Sequence, residues 1–222
     1  ITDVKKEGNS VRGIVVHNKS GKGLITGKVY IDATGDGDVS YLAKADYMTG
    51  DENQKNQAVS LRYIIGGINV EEFWNYLNRY QTEMQRETYG PDKTLHTAMT
   101  LPNINKWPLD PVFMDAVEKK DLIKEDVIYW QTFSIPGRKD SLDFNCPEFF
   151  ENNDDLTYVQ LHGKKAIMRQ LKFYKKYFEG FENAYISDIA SMVGIRESRR
   201  IVSDYLLTTE DVLSHRKFED GI

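Results

Sequence analysis

The chain has 222 residues, 40% of them hydrophobic, and a formal net charge of −5. That length supports one large core or two modest ones. The acidic balance and the lack of a basic stripe interleaved with aromatics argue against a nucleic-acid partner. Apolar runs such as Gly13 to Val16 and Tyr63 to Ile68 are far too short to span a bilayer, and no signal-peptide pattern opens the sequence. A single cysteine, Cys146, excludes an internal disulfide framework and leans toward a cytoplasmic location.

From Ile1 to Ile31 the pattern is that of a β-meander. Ile1 and Val4 precede a turn at Glu7 to Ser10, Val11 to Val16 precede a turn at Asn18 to Gly23, and Leu24, Ile25, Val29 and Ile31 are expected to complete a third strand. The apolar run Val29-Tyr30-Ile31 leads directly into Asp32-Ala33-Thr34-Gly35-Asp36-Gly37-Asp38, with a helical pattern from Ser40 to Ala45. Without a Cβ, Gly35 and Gly37 can take positive φ and let the backbone approach a ligand closely. The same residues also suit an ordinary strand, tight turn and aspartate cap. Two motif look-alikes fail on spacing. Gly21 to Lys28 has five residues between Gly21 and Gly27 where a phosphate loop needs four, and Asp36-x-Asp38-x-Ser40 has Tyr41 where a calcium loop needs glycine.

Gly50 to Asn56 is a polar loop suited to a crossing between domains. Ala58 to Ile68 is β-like, and Asn69 to Glu72 start a helix carrying Phe73, Trp74, Leu77 and Tyr80 at helical spacing. Gly90 to Pro111, with four of the six prolines, reads as irregular and contains His96. No two of the four histidines stand at ligand spacing, so no metal site is expected. A short helix is expected from Asp110 through Lys119. Val127 to Ile135 and Ser141 to Asn145 read as hairpin strands that would form a small antiparallel sheet with Ala58 to Ile68. Asn152 to Asp155 precede a long helix, Thr157 to Phe178, whose apolar face holds Leu161, Ile167, Met168, Leu171, Phe173, Tyr174, Tyr177 and Phe178. Lys164, Lys165, Arg169, Lys172, Lys175 and Lys176 give it a basic face, ordinarily a solvated one. Further on, Arg196, Arg199 and Arg200 would share one side of a helix, able to grip a carboxylate or phosphate or to sit in ion pairs. Thr208-Thr209-Glu210-Asp211 has the form of a capping box.

The meander followed by Tyr30-Ile31-Asp32-Ala33-Thr34-Gly35-Asp36-Gly37-Asp38, Tyr41-Leu42-Ala43 and Gln57 to Ser60 resembles the middle of the FAD-dependent oxidoreductase family related to fumarate reductase and succinate dehydrogenase flavoproteins, in particular its bacterial branch. Val193 to Ile201 with Asp204 to Val212 is similar to that branch's second signature, so the likeness spans nearly the whole chain. The resemblance implies an α+β fold: residues 1–50 as part of an FAD-binding domain, 51–185 as a substrate or cap domain, and 186–222 as a return segment. It implies FAD-proximal roles for Ala33, Thr34, Gly35, Asp36, Gly37 and Asp38, and substrate or flavin binding for Arg196 and Arg199. The expected chemistry is transfer of a hydride or electron pair between an unidentified small molecule and flavin. The family's first element, a strand, G-x-G-x-x-G and helix, is not found, because Gly21-x-Gly23 is followed by Thr26 and a strand. With no initial methionine at Ile1, the chain reads as a piece of a longer polypeptide that would lack most of the FAD site and be inactive alone. No motif selects a catalytic acid or base among His96, Tyr63 and Arg138, and oligomeric state stays open. Two other readings remain: a small-ligand or glycan-binding module walled by Trp74, Trp107 and Trp130, and an interaction protein docking an acidic partner on the basic helix.

Overall fold

The computed structural model describes residues 1–80, 95–100, 109–149 and 156–219. Helices and small antiparallel sheets mix in an α+β fold. The chain divides into two compact units, Ile1–Asn56 with Glu197–Ile222, and Gln57–Arg196.

In the first unit, β1 (Asp3–Glu7), β2 (Ser10–Asn18) and β3 (Gly21–Ile25) form the meander, antiparallel in the order β1-β2-β3. Val4, Gly13 and Val15 are its buried residues, and because Val4 stands opposite Ile14 while Val15 stands opposite Asp3, the two valines point to opposite faces. The expected extension of the third strand to Ile31 does not form. The Gly27 N–H donates to the Tyr30 hydroxyl at 2.7 Å, which folds the chain back on itself just past β3. Val29 and Ile31 are left 79% and 87% exposed. Their β-branched side chains favour a pleated surface only where neighbours cover them, and none does among the described residues. A short helix, α1 (Asp38–Leu42), follows, then β4 (Tyr47–Thr49).

The second unit holds a five-stranded antiparallel sheet. In chain order its strands are β6 (Tyr63–Gly66), β7 (His96–Thr100), β8 (Tyr129–Ser134), β9 (Ser141–Phe144) and β11 (Tyr185–Ile189), and in space they run β11-β6-β9-β8-β7. A separate two-stranded pair joins β5 (Val59–Ser60) to β10 (Glu148–Phe149). The stretch around His96 is therefore a strand, not the irregular loop its prolines suggest. Pairing with β8, from His96 opposite Phe133 to Thr100 opposite Tyr129, fixes it there. The rest of that expected loop, with Trp107, and the polar run Asn152 to Asp155 lie outside the described residues.

Alternation along the strands puts Tyr63 and Ile65, Trp130 and Thr132, and Leu142 and Phe144 on one buried face. The helices α2 (Val70–Tyr80), α3 (Asp110–Glu118) and α4 (Leu156–Tyr177) cover that core. The α2 helix buries Phe73, Tyr76 and Leu77, while Tyr80 is exposed. Along α4 the buried residues are Val159, Gly163, Ala166, Ile167, Gln170, Phe173 and Tyr174. Leu161 and Met168, read as part of the apolar face, lie outside that arc and are exposed. Aromatic rings dominate the core: Phe178 lies 5.1–5.3 Å from Phe73, Phe173 and Tyr174, centroid to centroid. Trp130 is fully buried in this cluster, which removes it from the role of a ligand wall, and the partly buried Trp74 packs against it. The α4 cations are partly committed within the protein. Arg169 is bound by Asp126, Lys176 by Asp121, and Lys175 by the Ala184 carbonyl. Among the described residues no helix is long and apolar enough to cross a membrane.

Candidate functional site

The glycine turn of the first unit is held by a carboxylate that its sequence did not single out. Asp32 accepts four hydrogen bonds: from the Thr34 N–H at 3.2 Å, the Thr34 hydroxyl at 2.8 Å, the Ser40 N–H at 2.8 Å and the Ser40 hydroxyl at 2.7 Å. Partial burial pushes its pKa up, but the bonds from Ser40 and Thr34 outweigh that effect and bring it down to about 2. The Thr34 Oγ1 in turn accepts from the Asp38 N–H at 2.8 Å, at the first residue of α1. Gly35 and Gly37 sit at φ 83° and 62°, the left-handed region that glycine enters without a Cβ clash. The signal for Asp32 lay in Asp-x-Thr, an arrangement in which a short polar side chain bonds backbone two residues on.

The residues expected at the site divide by position. Ala33, Gly35 and Gly37, with Asp32, Ser40, Arg199 and Ile201, line a depression of about 420 Å3. Thr34, Asp36 and Asp38 spend their side chains on the protein: Thr34 as above, Asp36 on the Ser198 hydroxyl at 2.5 Å, Asp38 on the Arg199 guanidinium at 2.5 Å. Small residues therefore border the depression while the alternating polar ones anchor the turn. A Cβ built on Gly35 would meet no atom within 4 Å, so the space over it is open. Among the described residues the N–H groups of Gly35, Asp36 and Gly37 meet no acceptor.

The segment bearing Arg199 is strand, not helix. Here β12 (Arg199–Ile201) pairs antiparallel with β4, placing Arg199 opposite Thr49, Arg200 opposite Met48 and Ile201 opposite Tyr47. A strand sends neighbouring side chains to opposite faces, so Arg199 and Arg200 part company. Arg199 stacks its guanidinium over the Tyr41 ring at 4.3 Å and is 22% exposed, whereas Arg200 binds the Gly50 carbonyl and Glu197. Tertiary pairing overrides the helical spacing, since β4 supplies the partner that an isolated arginine-rich turn lacks. Below it, α5 (Thr209–Leu213) does start in the expected capping box, with Thr208 and Asp211 bonded reciprocally.

Arg196 belongs to the second unit, where it pairs with Glu148 at 3.0 Å. Burial raises the Glu148 pKa against the opposing pull of Arg196. Tyr129 lies in the same cluster, its pKa raised by burial and then by the Glu148 charge. Its hydroxyl donates to Gln131 Oε1 at 2.8 Å, which also accepts from Asn145 Nδ2 at 3.0 Å. Neither of the two described acid–base candidates gains support: Tyr63 is buried and hydrogen-bonded in the core, and Arg138 is exposed in the β8–β9 hairpin. The side chain of His96 lies outside the described residues.

The depression combines open space over Gly35 with a turn locked by Asp32. At about 420 Å3 the depression lies in the lower part of the roughly 300–1,000 Å3 typical of ligand pockets. A sequence model of the family described as FAD dependent oxidoreductase matches residues 1–222. No curated protein and no solved structure matches the chain.

Proposed function

We propose that this chain, which belongs to the FAD dependent oxidoreductase family, binds part of FAD with its glycine turn and serves a reaction between that flavin and a small molecule. FAD, when bound, takes up or returns a hydride or electron pair. Gly35, with open space where a Cβ would stand, lets the backbone approach the cofactor, Ala33 and Gly37 border the same depression, and Thr34, Asp36 and Asp38 keep the turn in shape. Arg199, its charge balanced by Asp38 and its plane set by Tyr41, presents a guanidinium edge to an anionic group of cofactor or substrate. Arg196 is the proposed substrate contact of the second unit. In this reading residues 1–50 are part of an FAD-binding domain, 51–185 a substrate or cap domain and 186–222 a return segment. The observation that carries the reading is the alternation itself, small residues on the depression and polar ones turned to the protein.

The test is a matched pair of glycine substitutions in the protein expressed from its complete reading frame. Gly35 and Gly8 both have positive φ and open space where a Cβ would stand. Alanine at either should therefore cost a similar amount, about 1–2 kcal/mol. Gly35→Ala should lose flavin absorbance on purification, and Gly8→Ala, in the β1–β2 turn, should keep it. A wild-type protein without flavin bands that takes up no added FAD, or a Gly35→Ala variant as yellow as wild type, overturns the proposal. The same spectra taken on residues 1–222 alone show how much of the flavin this chain retains.

A further inference from the structure

We propose that Asp32 is a positioning residue that presets the glycine turn for FAD without touching the cofactor, an inference that rests on the reading above. An ionised carboxylate offers about four acceptor positions. Asp32 meets four donors, two from Thr34 and two from Ser40, so its oxygens are filled by the protein although it borders the depression. Asp36 differs, with one donor from Ser198. The Asp32 bonds reach both sides of the turn, two residues and eight residues along the chain. The Thr34 hydroxyl extends the clamp to the Asp38 N–H. Ala33, Gly35 and Gly37 all lie within this bracket. Two of those residues are glycines, the most conformationally free of the amino acids, so an unclamped turn would sample many shapes and binding would carry the cost of ordering it. The clamp meets that cost during folding.

Asp32→Asn keeps the size of the side chain but leaves a single oxygen to accept and sets an NH2 group against donors. In the complete flavoprotein stripped of FAD, Asp32→Asn should raise the Kd for FAD, read by flavin fluorescence, roughly tenfold or more. The rise in Tm produced by a fixed FAD concentration should shrink accordingly. A residue that only stabilises the fold would lower both melting temperatures and leave that rise unchanged. Ser40→Ala removes one donor and should weaken FAD by a smaller factor, while Ser40→Thr, which keeps the hydroxyl, should restore it. That pair decides the matter if Asp32→Asn does not fold. Wild-type affinity in Asp32→Asn, or in Ser40→Ala where only that variant folds, overturns the inference. If Gly35→Ala still loses FAD in that case, the FAD reading stands and only the role of Asp32 falls. If wild type itself takes up no FAD, the reading falls and the inference with it.

Discussion

Tyr63→Phe tests the packing of the second unit. Trp130 Nε1 donates to the Tyr174 hydroxyl at 2.9 Å, and the Tyr63 hydroxyl donates to Gln170 Oε1 at 2.9 Å. The two phenols are 2.8 Å apart, so the Tyr174 proton must point to the Tyr63 oxygen. Gln170 Nε2 ends the chain on the Asp126 carbonyl at 3.3 Å. All four side chains are buried, and burial keeps both phenols protonated far above their ordinary range. Removing the Tyr63 hydroxyl orphans the Tyr174 proton. It also leaves Gln170 Oε1 with only the Cys146 thiol at 3.9 Å. Each buried orphan costs about 1–3 kcal/mol, so the loss should be about 2–4 kcal/mol. In a unit of this size that is a fall in Tm of about 10 °C. Tyr174→Phe takes from the Trp130 N–H its Tyr174 acceptor and should cost less. The double variant removes the orphaned Tyr174 proton altogether, so its cost should fall short of the sum of the singles. Urea unfolding followed by the near-ultraviolet circular dichroism of Trp130 reads all three. A Tyr63→Phe loss below about 0.5 kcal/mol, or strict additivity in the double variant, refutes a directed chain of donors.

Three further outcomes follow from the charges. The Asp32 pKa falls from 3.8 to about 2 on folding, so its contribution is complete above the unfolded value and is lost as pH drops through about 2. The stability gap between wild type and Asp32→Asn should therefore be flat above about pH 5 and close in acid, and a gap that persists unchanged at pH 2 contradicts the clamp. Glu148 has the opposite sign. Its pKa is raised by burial, so its side chain favours folding least when ionised, and stability should decline as pH climbs from the ordinary carboxylate range through the raised value. Glu148→Gln should flatten that slope in a pH series of melting curves. Asp126 receives Arg169 through Nε at 2.8 Å and Nη2 at 2.7 Å, and the Ile123 N–H at 3.1 Å. Replacing it by alanine leaves a half-buried guanidinium without its fork partner and should cost about 3 kcal/mol in urea unfolding.

What the sequence made legible followed from local rules. Period-2 patterns marked β6, β8 and β9, because each buries one face, and the capping box at Thr208 needed only residues three apart. Strand β7 was hidden because its order comes from pairing with β8, a partner some thirty residues away, while the prolines on either side of it, Pro91 and Pro102, spoke for a loop. Val29 and Ile31 failed in the opposite sense: strong local preference, and no neighbour in the described chain to complete a ladder. Leu161 and Met168 are apolar by type but fall outside the buried arc of α4, which an apolar count alone does not detect. At the turn, glycines announced unusual backbone and the structure shows it. Asp32 went unnoticed because its importance lies in four convergent donors, one pair of them eight residues away.

The arginine signature shows most clearly how spacing misleads. Read on a helix, Arg196, Arg199 and Arg200 make one cationic surface that could close on one anion. In the structure each has a different assignment: Arg196 to Glu148 in the second unit, Arg199 to Asp38 and Tyr41 in the first, Arg200 to Gly50 and Glu197 on the opposite face of β12. Every one of the three is balanced by a carboxylate, so none is a bare charge waiting for a ligand. A ligand group that reached Arg199 would share a guanidinium whose fork is already aimed by Asp38, and a planar fork fixed on an aromatic face gives up little further freedom on binding. The signature therefore reads better as three oriented donors with separate tasks than as one anion clamp. Exchanging Arg199 for lysine, which can match the charge but neither the fork nor the stacking, should then separate orientation from charge at the glycine turn.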